Sequence, residues 1–145
     1  MRPHIRQISL SQSIDVLNYI PEFDERFELT KIKERILDKQ YLALGVEVEG
    51  ILVAVKLGYF LNDKVFYSWL GGVLPRFRLL GLAQSLLNEQ EQILAAKNVG
   101  EIQVKSMNRY PSMLQMLISN HYQIYDIEPN PNSDFLKVKF RKYLV

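Results

Sequence analysis

The chain has 145 residues, 48% of them hydrophobic and 23% charged, enough for one compact domain (1–145) with a real core and too few for a second. Its 18 basic and 16 acidic residues give a net charge of +2, too even a mixture to mark a nucleic-acid surface, and the absence of cysteine excludes disulfides, a thiolate nucleophile and cysteine-ligated zinc. His4 and His121 stand alone, Met1 to Arg6 lack the apolar core of a signal peptide, and no apolar run approaches the roughly 20 residues that span a bilayer. A soluble, cytoplasmic protein with no metal, nucleic-acid or membrane partner is expected.

A first strand is predicted near Ile5 to Ser9. Ser11, a good helix cap, precedes Ile14, Leu17 and Ile20, and Leu29, Ile32 and Ile36 repeat the spacing of a helix face, so two short helices follow. From Tyr41 the period changes to two: Leu42, Leu44, Val46 and Val48 share one face, then Ile51, Val53, Val55, Leu57 and Tyr59. Gly50 suits the hairpin between them, and a turn at Asn62-Asp63 leads into Val65, Tyr67 and Trp69. Residues 41–73 thus read as a three-stranded antiparallel meander.

Beyond Pro75 a helical stripe returns with Leu82, Ala83, Leu86, Leu87, Ile93 and Leu94, and Asn98-Val99-Gly100 ends it. Ile102 to Lys105 reads as a strand, and the right-handed crossover makes it a parallel neighbour of the strand around Trp69. A helix starts near Pro111 and carries Met113, Leu114, Leu117 and Ile118; strands at about 121–127 and 134–141 flank a turn-rich segment, Glu128 to Ser133.

The segment from Gly71 to Ala83 passes from a strand through a basic loop into a helix. Free amides at a helix N-terminus, the positive end of the dipole and the small Gly81 suit a phosphate, and Arg76 and Arg78 add charge. Gly71-Gly72 in a strand suggests a bulge, or a place where something extended lies against the backbone.

Arg78-x-x-Gly81-x-Ala83, preceded by Val73-x-Pro75, resembles the Arg/Gln-x-x-Gly-x-Gly/Ala signature of the GNAT (GCN5-related N-acetyltransferase) family, and the order of elements is similar over nearly the whole chain. The resemblance implies an α/β (α+β) fold: a mixed, mostly antiparallel seven-stranded sheet flanked by about four helices. It also implies acetyl-coenzyme A as co-substrate. Its pyrophosphate would lie on the backbones of Arg78, Leu79, Leu80, Gly81, Leu82 and Ala83, with pantetheine or acetyl near Val73 and the strands before and after the signature helix splayed apart. Leu79 and Leu80 stand where the family often has glycine and a basic residue; amides come from any residue except proline.

The family's Leu-Tyr-x-x-x-Gly-Phe landmark is met loosely by Met116 to Tyr122, with Leu117 in place of the tyrosine usually assigned as the acid that protonates the leaving thiolate. A thiol of pKa about 8.5 leaves fairly well near neutral pH, whereas an amine near 10.4 must lose a proton at roughly 4 kcal/mol at pH 7. For the base the sequence offers Glu47, Glu49, or a water held by Tyr67 or Ser68, all of which also read as surface or core residues. Asn108 and Tyr110, after the fifth strand, are placed where family members often hold the coenzyme with a polar residue.

His121 replaces the family glycine and reads either as a titrating group or as a partly exposed strand residue. Tyr59, Phe60, Phe66, Tyr67 and Trp69 read as an acceptor pocket or as core, and Lys137, Lys139, Arg141 and Lys142 as an acceptor edge or as charges that discourage strand pairing. The expected activity is acetyl transfer to a primary amine of a small molecule or peptide, by direct attack because there is no cysteine. The rival is a catalytically weak or inactive acyl-coenzyme A sensor. A homodimer is left open.

Overall fold

The computed structural model describes residues 2–144. Its elements are β1 (His4–Gln7), α1 (Leu10–Leu17), α2 (Leu29–Ile36), β2 (Tyr41–Val48), β3 (Ile51–Asn62), β4 (Val65–Val73), α3 (Leu82–Ala96), β5 (Glu101–Met107), α4 (Pro111–Ser119), β6 (Gln123–Glu128) and β7 (Lys137–Tyr143), with a 3-10 turn at Pro75–Phe77. They build one seven-stranded sheet in the order β1-β2-β3-β4-β5-β7-β6. Among the described residues only β4 and β5 run parallel, as a crossover through α3 requires.

The sheet separates two apolar layers. Ala54, Phe66, Val73, Ile102, Val104 and Phe140 meet α3 and Leu117 on one side; Ala43, Val55, Leu57, Tyr59 and Tyr67 meet α1 and α2 on the other. Alternation along β3 produces this division: Ala54, Lys56 and Gly58 face α3, and the residues between them face α1. The aromatic residues of the meander are core and cross-strand pairs to a large extent: Tyr59 meets Tyr67 and Trp69, and Phe60 meets Phe66, all edge to face.

Several local features differ from the sequence expectations. The cap of α1 is Ser9, not Ser11: its hydroxyl accepts from the Gln12 amide while the Gln12 side chain accepts from the Ser9 amide. The bulge in β4 lies at Trp69, since Leu57 opposes Leu70 and Gly58 opposes Ser68. Gly71 and Gly72 pair regularly with Lys56 and Val55, and Gly72 is small because a Cβ would run into Ile20. His121 lies outside β6, with φ 71, and ends α4: its amide and that of Tyr122 bond back to the carbonyls of Ile118 and Leu117, at 3.1 and 3.0 Å. A left-handed residue is needed there, which is the physical role glycine would fill.

Candidate functional site

The sheet opens beside β4. Pairing with β3 runs the length of the strand to Val73, whereas pairing with β5 stops at Ser68 and Val104. β5 continues alongside β7 to Met107. The bulge at Trp69 bends β4 away from β5, so the edge of β4 from Trp69 to Val73 offers backbone groups with no strand beside them. On the α3 side of this opening lies a narrow cavity of about 30 Å³ lined by Val55, Lys56, Gly71, Gly72, Val73, Ala83, Leu86, Met113 and Met116.

The loop after β4 exposes amides. Pro75–Phe77 forms its 3-10 turn and uses the Arg78 amide, which reaches the Pro75 carbonyl at 3.4 Å. Leu79 and Gly81 then adopt positive φ, 64° and 78°. The first bond of α3 is donated by Ser85 to the Gly81 carbonyl at 3.0 Å, and Gly81 has no side chain to cap the helix. Among the described residues no acceptor meets the amides of Leu79, Leu80, Gly81, Leu82, Ala83 or Gln84. Nothing lies within 4 Å of the point where a Cβ on Gly81 would stand. Six consecutive donors are therefore left without a protein acceptor at the positive end of a 15-residue helix.

Arg78 does not lend its charge to this loop. Its Nε donates to the Val73 carbonyl at 2.9 Å, and its two terminal nitrogens donate to both Glu22 carboxylate oxygens at 2.7 Å. That bidentate pair holds the Glu22 carboxyl below its usual range and raises the guanidinium. Arg76 stays exposed, its guanidinium 5.9 Å from the Phe77 ring centre. On the other bank, Tyr110 donates its hydroxyl to the Glu22 carbonyl at 3.4 Å, and Arg109 reaches Asp24 at 3.4 Å. The α1–α2 connection is thus tied both to the loop after β4 and to the turn after β5.

No family model and no curated protein sequence matches the chain. Solved structures do. Ard1 from Thermoplasma volcanium superposes with a TM-score of 0.84 at 17% identity, covering 99% of this chain and 98% of that one. The ribosomal-protein-S18-alanine N-acetyltransferase from Escherichia coli gives 0.84 at 12% identity, with 99% and 94% covered. A GNAT family acetyltransferase from Elizabethkingia anophelis with acetyl-CoA bound gives 0.78 at 12%, with 98% of each chain covered. The fold is that of the GNAT acetyltransferases.

Within this GNAT fold the residues singled out from sequence are distributed unevenly. Val73, Leu79, Leu80, Gly81, Leu82 and Ala83 all border the opening or the exposed amides. Asn108 is exposed in the turn after β5, its amide donating to the Leu136 carbonyl at 3.3 Å, and Tyr110 is committed to Glu22. Tyr67 lies on the α1 face; burial pushes its hydroxyl up to about 12, so it keeps its proton at neutral pH. Ser68 faces the other way and accepts from Gln90 Nε2 at 3.4 Å.

Glu47 and Glu49 do not approach the opening. Glu47 pairs with Arg6 of β1 at 3.3 Å in a separate open cavity of about 470 Å³, and Glu49, φ 52, forms the β2–β3 turn with Gly50. The basic C-terminal strand is also engaged: Lys139 pairs with Glu128 at 3.1 Å and Lys142 with Glu91 at 2.8 Å. Two site residues escaped sequence reasoning. Gln84 supplies the last free amide, a consequence of where α3 begins. Lys56 is 7% exposed and lines the narrow cavity; its signal was a lone charge inside the apolar run Ile51 to Tyr59.

Among the described residues no three His, Asp or Glu side chains converge as metal ligands, and no helix is long and apolar enough to cross a membrane.

Proposed function

We propose that this chain, acting as one domain over 1–145, transfers an acetyl group from acetyl-coenzyme A to a primary amine on a small molecule or peptide. The observation that carries the reading is the run of six unbonded amides, Leu79 to Gln84, beside a β4 edge that has lost its strand partner. Amides at a helix N-terminus take a pyrophosphate, and an open strand edge pairs with the amide groups of a pantetheine arm. The two sites adjoin at Val73, as one extended molecule with phosphate at one end and amides at the other requires. The structural likeness to an acetyl-CoA-bound acetyltransferase supports the same donor.

With the donor so laid, the thioester reaches the bulge at Trp69, where backbone amides face the oxyanion that develops on the carbonyl. Cysteine is absent, so the amine attacks the thioester directly, and catalysis rests chiefly on positioning. Tyr67, with its hydroxyl near 12, orients a water or an acceptor as a donor and takes no proton.

A second reading, a coenzyme-binding module with little turnover, is favoured by one observation: the residues lining the narrow cavity include no carboxylate and no imidazole. Calorimetric titration with acetyl-coenzyme A followed by an amine screen read by free coenzyme A separates the two. Binding with amine-dependent release supports the transferase; binding with no release from any amine supports the module; no binding at millimolar ligand overturns both.

A further inference from the structure

Lys56 sits where no structural demand explains a cation. It lies in the middle of β3, opposite Leu44 on β2 and Gly71 on β4, and is 7% exposed. Among the described residues its Nζ meets no hydrogen-bond acceptor and no carboxylate, although lysines this buried are ordinarily paired. Its side chain lines the narrow cavity on the α3 side of the β4–β5 opening, among Gly71, Gly72, Ala83, Met113 and Met116, and among the described residues it is the only titratable one that does.

We propose that Lys56 is a catalytic residue whose ammonium meets the thioester sulfur and takes up the negative charge of the leaving thiolate. The inference rests on the acetyl-coenzyme A reading above. In the step, the acceptor nitrogen forms a bond to the carbonyl carbon, the C–S bond breaks and its electron pair goes to sulfur. Lys56 then gives a proton to sulfur, leaving free coenzyme A thiol and a neutral amine. The proton lost from the acceptor nitrogen passes to solvent, and Lys56 regains one from solvent.

The surroundings suit this role. Burial lowers the Lys56 pKa to about 8, close to the roughly 8.5 of a free thiol, so a proton moves between the two with little driving force either way. The charged groups around it are few. Glu91 on α3 raises the Lys56 pKa through space, but both its oxygens are held, by the Tyr122 hydroxyl and by Lys142, each at 2.8 Å. α3 otherwise presents Ala83 and Leu86, α4 presents Met113 and Met116, β2 presents Leu44 and β4 presents glycine. No other proton donor lines this cavity.

The test is the ionisation of the thiol of bound coenzyme A, followed by thiolate absorbance as pH is raised, in the parent, Lys56→Met and Lys56→Gln. These variants remove a buried charge, so both are expected to fold. In the parent the bound thiol should titrate at least one unit, tenfold in ionisation, below free coenzyme A, and Lys56 should rise correspondingly because the two groups are coupled. In both variants the shift should vanish while the coenzyme dissociation constant changes less than about threefold, since the loop amides are untouched. Binding with the same thiol titration in all three proteins overturns the role of Lys56 and leaves the donor reading standing. No binding by the parent overturns both.

Discussion

Glu22 and Arg78, 56 residues apart, are joined by two parallel N–H···O bonds of 2.7 Å, and the same guanidinium holds the Val73 carbonyl at 2.9 Å. The arginine of the signature is therefore a strut that sets the angle between the end of β4, the exposed amides and the α1–α2 connection. Glu22→Gln should lower stability by no more than about 1 kcal/mol, because the pair is exposed and partly screened. Arg78→Ala, which also releases the Val73 carbonyl, should lower it more, and thermal unfolding in low and high salt separates the ionic part. The sign with pH follows from the Glu22 carboxyl, which is held below its ordinary 4.5 when folded. Its contribution is present above that value and is lost as pH falls through the lower folded one.

Lys56→Met should stabilise the protein at pH 7. The buried amine, lowered from 10.5 to about 8, penalises the folded state by on the order of 3 kcal/mol where it is charged in both states. Because the folded pKa is the lower, the unfolded chain binds more protons between about 8 and 10.5, and the parent's stability should rise over that window. The variant should lack the rise. Denaturant titrations at pH 7 and pH 10 measure it, and equal slopes with pH for the two proteins would show that Lys56 is not desolvated.

Gly81→Ala should weaken coenzyme binding at least tenfold, about 1.4 kcal/mol, with the helix retained. No protein atom stands within 4 Å of the added methyl, which adjoins the unbonded amides of Leu79 to Gln84 and crowds a ligand held there. Its left-handed φ of 78° makes Gly81→Val a poorer probe, since a branched residue there adds strain of roughly 1–2 kcal/mol or more. Arg76→Ala should weaken binding less, and the loss should fade with salt. Calorimetry on these variants gives the comparison.

Leu117→Ala should cost about 2–5 kcal/mol of stability, as expected for a fully buried leucine packed in the α3-side core, with turnover per folded molecule little changed. Chemical denaturation together with activity normalised to folded protein tests it. Full stability with lost turnover would place Leu117 in the chemistry.

The meander, the helical stripe of α3 and the parallel crossover were legible because each rests on a period local to the sequence: two for Leu42 to Tyr59, and three or four for Leu82 to Leu94. The exposed amides were legible for a similar reason, since a short loop into a helix fixes where donors lie. What the sequence hid depends on partners far along the chain. Arg78 reads as a free cation until Glu22 is brought beside it, and Glu47 reads as a possible base until β1 places Arg6 against it. The bulge was misplaced because glycines mark close approach as well as bulges: Gly72 makes room for Ile20, while Trp69 carries the irregularity without any small residue to announce it.

The central claim, that one extended donor lies on the Leu79 to Gln84 amides and along the open edge of β4, is tested most directly by following backbone amide resonances of the parent during titration with acetyl-coenzyme A. The largest shifts should fall on Leu79, Leu80, Gly81, Leu82, Ala83 and Gln84 and on β4 from Trp69 to Val73, with β1, β2 and β6 almost unmoved. Saturable binding whose largest shifts lie elsewhere, for example around Arg6 and Glu47, would contradict it.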